Sequence, residues 1–202
     1  MITIEKLKSV DKNNMEDMSK TLQSEDLHLL IDLLCEKDDK IRYPAFLLLQ
    51  CRSMNQDDVY LYWDIFREKL KSENSFQRSI GLMLIAENAK WDTEEKTEAV
   101  MGEYLACIYD DKPITVRQCI QGLKKIVPCK RHLNNTIADK LLALDIMSIK
   151  ETMRKSVLSD ILEVLIEIRK YTESPDIEQY IITALTGEIL DKKTKKAVEE
   201  KL

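Results

Sequence analysis

The sequence predicts an all-α protein, an α-solenoid of about five antiparallel helix pairs. Three observations predict it. A polar turn closing in an arginine recurs at Arg42, Arg78, Arg117 and Arg154, spaced 36, 39 and 37 residues apart, each time followed by an apolar helix. A period of this length marks a repeat array of supersecondary units. Apolar residues fall at helical spacing through most of the chain, and no stretch of any length follows the strand period. Gly and Pro number only four each in 202 residues, too few to punctuate a long β-structure.

The bulk composition narrows the function classes. Hydrophobic residues make up 44%, enough for a core, and charged residues 33%, which suits many exposed helix faces. The net charge is −5. A non-specific nucleic-acid binder carries a basic footprint, so the overall balance argues against that class and leaves only a local basic patch open. Five cysteines in no tight pattern fit a reducing compartment better than a disulfide framework. The start, Met-Ile-Thr-Ile-Glu-Lys, has no long apolar run, and no segment approaches the ~20 apolar residues of a membrane helix. The expectation is a cytoplasmic protein with no membrane segment.

Taken in order, residues 1–22 predict one or two short helices that cap the first repeat, and 23–202 the array with capping helices at its end. Ser24 reads as the N-cap of a helix over 25–37, whose stripe is Leu27, Leu30, Ile31 and Leu34. After Lys37-Asp38-Asp39-Lys40 a second helix carries Ile41 to Cys51, with Pro44 near its start, where a missing N–H costs little. A helix over 57–71 holds Val59, Trp63, Phe66 and Leu70; its partner holds Ile80, Leu84 and Ile85. Thr93 reads as the cap of the next helix, with Val100, Met101, Leu105 and Ile108. Pro113 and Ile114 open its partner, which Pro128 ends. The fourth pair spans 133–146 and 150–171. Ser174-Pro175 is an N-cap followed by an N1 proline, and the last helices cover 176–190 and 192–202. A weak fifth turn, Asp191 to Lys195, follows Arg154 by 41 residues at its closing lysine.

The unit resembles the HEAT/armadillo repeat family, over about 25–170. That family places an acid in the turn within a repeat and Val-Arg at the start of the second helix. The matching pairs are Ile41-Arg42, Gln77-Arg78, Val116-Arg117 and Met153-Arg154, and the third repeat fits best, with Asp111 six residues ahead of Arg117. The other repeats have Glu36, Ser72 and Ser148 in that place, so two lack the acid. The physical expectation stands beside the resemblance. A guanidinium has five donors in a fixed fork, so Arg42, Arg78, Arg117 and Arg154 can form a structural ladder on turn acceptors such as Asp111. A repeat motif speaks for fold and says almost nothing of function.

Few constellations carry chemistry. Cys107, Cys119, Cys129 and His132 fall in one repeat, but Cys107 and Cys119 lie on apolar faces and no CxxC knuckle is present, so no metal and no cofactor is expected. Lys124, Lys125, Lys130, Arg131 and His132 cluster around Pro128, as a helix C-terminus with a solvated loop does. Adjacent carboxylates such as Glu94-Glu95 point to different helix faces and are not poised for acid/base work. Two histidines give a triad little material, and there is no Gly-rich phosphate loop.

Two second helices stand out. Tyr43 to Leu49 and Ile80 to Ala86 are apolar nearly all round, which normally means burial on every side. Either residues 1–22 fold over them or they form a groove for a partner. On the second reading the docking residues are Tyr43, Leu47, Met83, Gln118 and Gln121, one, four or five places after the repeat arginine. The functional expectation is therefore a non-enzymatic module that binds a protein or peptide on its concave face. One alternative comes from a resemblance: bacterial DNA glycosylases that remove alkylated purines use similar HEAT-like repeats and tend to carry Trp-Val-Arg-Arg at the start of a second helix. Here that place reads Phe76-Gln77-Arg78-Ser79, with only one arginine in register. The other alternative is a module for homo-oligomerisation.

Overall fold

The structure is a computed structural model and describes residues 1–11 and 14–202. Lys12 and Asn13, inside the expected N-terminal cap, lie outside the described residues. Among the described residues there are twelve α-helices and no strand. The chain divides into two compact units, Met1–Thr97 and Glu98–Leu202.

In the first unit, α1 (Ile4–Ser9) and α2 (Met15–Lys20) precede α3 (Ser24–Leu33) and α4 (Asp39–Asn55). A 3-10 turn, Asp58–Tyr62, leads into α5 (Trp63–Lys69), followed by α6 (Ser75–Asn88). The helix expected over 57–71 is thus a 3-10 segment and a shorter α-helix. Capping also differs at two places. Ser24 is the first helical residue rather than the cap. Asp26 closes that end by accepting the Gln23 N–H at 3.1 Å. Thr93 caps nothing, because Asp92 acts in its place. The Asp92 carboxylate accepts the N–H groups of Glu94, Lys96 and Thr97, and the Tyr60 hydroxyl at 2.8 Å.

The hub of this unit is α4. It packs against α1, α2, α3 and α6, and this answers why it is apolar nearly all round: α1 and α2 do lie on it. Ile2, Leu7, Met15 and Leu22 are buried. Arg52 of α4 donates to the carbonyls of Ser19 and Lys20 at 3.0 and 3.1 Å, holding the C-terminal end of α2. Besides α4, α6 also packs on α5. Gly81 permits that approach, since a Cβ there would lie 2.6 Å from the Phe66 carbonyl oxygen.

The element α7 (Lys96–Ala106) begins at the end of the first unit and continues into the second. There follow α8 (Pro113–Ile126), α9 (Asn134–Leu142), α10 (Glu151–Arg169), α11 (Pro175–Thr186) and α12 (Lys192–Glu199). Pro113 sits at N1 of α8 and Pro175 at N1 of α11, where Ser174 Oγ accepts the Ile177 N–H as the spacing predicts. The hub here is α10, which packs on α8, α9, α11 and α12. Its Val157, Ile161, Leu162, Val164, Leu165 and Ile168 have no exposure.

Candidate interaction surface

The repeat arginines are placed by their turns. Asp38 caps α4 by accepting the Lys40 N–H at 2.9 Å, and one turn on, Arg42 donates to the Glu36 carbonyl at 2.9 Å and pairs with Asp39. Asn74 caps α6 through the Phe76 N–H at 2.9 Å, and Arg78 donates to the carbonyls of Ser72 and Glu73 at 2.8 and 2.9 Å. Arg154 reaches those of Ile149 and Met147 at 2.9 and 2.8 Å. Each of these three folds back on the turn that precedes its own helix, five to seven residues away, and satisfies carbonyls that the turn leaves open.

Arg117 departs from that pattern. Its Nε and Nη2 donate to the two oxygens of Asp160 on α10 at 2.6 and 3.2 Å. The carboxylate expected for it was Asp111, which instead lies 3.2 Å from Lys112 Nζ. Asp160 is buried and accepts from Gln121 as well, at 3.0 Å. The Arg117–Asp160 bond lifts the guanidinium above its ordinary pKa. Beside it, Lys124 Nζ meets Glu163 at 2.5 Å, and Lys201 meets the other oxygen of Glu163. Those bonds outweigh burial and hold that carboxyl below its usual range.

The five expected docking residues divide between the two units: Tyr43, Leu47 and Met83 in the first, Gln118 and Gln121 in the second. Gln121 is engaged by Asp160, and Gln118 is half-buried. Leu47 and Met83 are half-buried too, which leaves Tyr43, 46% exposed, as the open apolar member. The residue that sequence reasoning left out of this surface is Phe76, which is 59% exposed. The Arg42 guanidinium stands 5.3 Å from the centre of its ring, a cation–π distance. The signal was there: Phe76 stands two places before the repeat arginine, where the other repeats have Lys40, Thr115 and Thr152. The result on the first unit is two exposed aromatics at the starts of α4 and α6, Tyr43 and Phe76, with the Phe76 ring beside a well-held cation.

Other residues singled out in the sequence have local partners. Cys119 is fully buried, its Sγ 3.2 Å from the Tyr104 carbonyl, and burial pushes the thiol well up. The Cys129 Sγ donates to the Lys125 and Ile126 carbonyls, and His132 lies 3.4 Å from Glu98. Arg131 stacks on Tyr171 at 4.5 Å. Among the described residues no group of three or more His, Cys, Asp or Glu is arranged to hold a metal, and no helix is long and apolar enough to cross a membrane. Trp63 is buried, and Trp91 donates its indole N–H to the Ser53 carbonyl at 2.7 Å.

Neither a protein-family model nor a curated protein matches the sequence. The crystal structure of an engineered protein is similar in fold, with a TM-score of 0.54 at 15% identity, covering 100% of this chain and 96% of that one. At that identity the likeness is one of fold alone.

Proposed function

We propose that the chain is a HEAT/armadillo-like helical-repeat module that binds a protein or peptide, without catalysis, through the second helices of its first repeats. The observation that carries this reading is the exposed Phe76 ring against the Arg42 guanidinium, with Tyr43, also exposed, next to Arg42 in the chain. Tyr, Phe and Arg at the centre of a contact supply large area at little entropic cost. The recurrence of the arginine turn supports the repeat architecture. Extended surfaces of this kind serve mostly for binding.

The alkylpurine glycosylase reading has less support. At the place of that family's motif, Gln77 is held between Lys69 and the Leu34 carbonyl, and Arg78 is engaged by its own turn. The two tryptophans serve the core and a backbone carbonyl.

The test exchanges single exposed residues, so that folding is not in question. Phe76→Asp and Tyr43→Asp are compared with Leu61→Asp, which is 81% exposed in the same unit. Each is fitted with a photo-crosslinker at an exposed neighbour of residue 76 and offered a native extract, with oligomeric state measured by light scattering. The reading expects a discrete crosslinked partner that Phe76→Asp and Tyr43→Asp lose and Leu61→Asp keeps. A crosslink to a second copy assigns the surface to homo-oligomerisation instead. Capture unaffected by all three substitutions removes this surface from consideration.

A further inference from the structure

An open pocket of about 670 Å³ lies between the turns of the first two helix pairs of the first unit, walled by Cys35, Arg42, Ile65, Lys69, Asn74 and Gln77. Lys69 is only 7% exposed. Its Nζ donates to Gln77 Oε1 at 2.5 Å and lies 3.5 Å from Cys35 Sγ. Both groups wall the pocket, so the ammonium sits at its lining. Gln77 cannot turn away, because its Nε2 donates to the Leu34 carbonyl at 2.7 Å.

An ammonium has three donors and no acceptor. Lys69 has one amide oxygen and one sulfur for them, and no carboxylate among the described residues lies within ion-pair distance. The nearby acids are otherwise engaged or face solvent: Glu68 pairs with Lys71 at 2.7 Å, Asp39 pairs with Arg42, and Asp64 is exposed. Buried lysines are rarely left without an opposite charge, since desolvating an ammonium is costly unless an anion accompanies it.

We propose that this pocket is a carboxylate-binding site, with Lys69 as the charge and Gln77 as the group that fixes its direction. Glu36, Asp64 and Glu68 balance Lys37, Arg42 and Lys69 around the same pocket, so the lining has no surplus of positive charge for a dianion and the ligand is a monocarboxylate rather than a phosphate. Ile65, partly exposed on the wall, takes the aliphatic carbon beside the carboxyl. Such a group is offered by a free small acid and by the end of a peptide chain. The site stands on Lys69, and it holds whether or not Tyr43 and Phe76 meet a partner.

The experiment titrates the full ¹⁵N-labelled chain with N-acetylglycine, its amide, acetyl-trialanine acid and inorganic phosphate at equal ionic strength. Both acids are expected to shift the amide resonances of Cys35, Ser72 and Gln77 saturably. The neutral amide leaves them in place, and phosphate binds about tenfold more weakly or not at all. A tripeptide acid that binds about tenfold tighter than N-acetylglycine assigns a chain terminus, and equal affinities assign a free acid. Lys69→Met should abolish the response while the chain melts at the same or a higher temperature, because it removes a buried charge that has no carboxylate partner. The exposed-rim pair Asp64→Asn and Glu68→Gln, which leaves Lys69 in place, should tighten the acids and admit phosphate. No response to either acid, equal shifts from acid and amide, or a response that survives Lys69→Met or is unchanged in the rim variant would overturn the assignment.

Discussion

Asp26 is buried, yet it is held as a carboxylate. Burial pushes its carboxyl up, but the N–H groups of Gln23 and Ile2, at 3.1 and 2.5 Å, together with nearby cations outweigh that and keep it below the ordinary value. A carboxyl that titrates lower when folded stabilises the fold fully above its unfolded pKa of about 4, and loses that contribution as pH falls through the lower folded value. Urea midpoints measured from pH 7 to pH 3 should therefore drop in the wild type and vary less in Asp26→Asn. Parallel curves would mean that Asp26 is not the group involved. Arg117 makes a second prediction. Arg117→Ala leaves buried Asp160 with the Gln121 amide as its remaining donor, at a cost of ~1–3 kcal/mol. Asp160→Asn added to that variant should recover part of the loss, and a denaturation series on the single and double variants measures both. That Arg117 would matter was legible from its recurrence. Its partner was not: Asp160 lies 43 residues on, in a run from Val157 to Ile168 that also holds Ser159, Glu163 and Glu167, so nothing in the sequence singles it out.

Helices as elements were legible because period and punctuation agree. Pro113, Ser174-Pro175 and the stripe of Leu27, Leu30 and Ile31 fall where the structure places helix starts and a buried face. Caps that depend on side-chain reach were less so, since both Asp26 and Asp92 act from a position near the one that sequence favoured. The close approach of α5 and α6 was not legible either, since a mid-helix glycine reads only as a weakness. Gly81 and Gly102 now separate. Gly81→Ala must push against the Phe66 backbone at 2.6 Å and should cost ~1–3 kcal/mol by overpacking. Gly102, within α7, has nothing within 4 Å of an added Cβ, so Gly102→Ala should stabilise by about 0.5–1 kcal/mol through helix propensity alone. Thermal melts of the two variants should move in opposite directions. A shift of the same sign in both would show that the α5–α6 spacing relaxes without cost.

At the scale of the chain, the arginine period read out the succession of helices, while the division at Thr97 and Glu98 left no mark. It falls inside α7, with no Gly or Pro from 92 to 101, because a division set by which helices share a core need not show in composition. The N-terminal segment is where sequence left two readings open, and for α4 the packing of α1 and α2 on it supports the covering one. Helices of six residues such as α1 and α2 do not persist alone. They are held by what they bury: Ile2, Leu7, Met15 and Leu22 against the first unit, with Arg52 of α4 clamping the Ser19 and Lys20 carbonyls. The relation is reciprocal, since α4 cannot leave its apolar sides open to water without cost. A chain that starts at Gln23 should therefore lose several degrees or more in melting temperature, bind a hydrophobic dye, and self-associate as its concentration rises. Adding residues 1–22 in trans as a peptide should reverse all three. If instead the shortened chain melts as before and stays monomeric without binding dye, α1 and α2 are dispensable, and the apolar character of α4 would have to be attributed to a surface that awaits a partner.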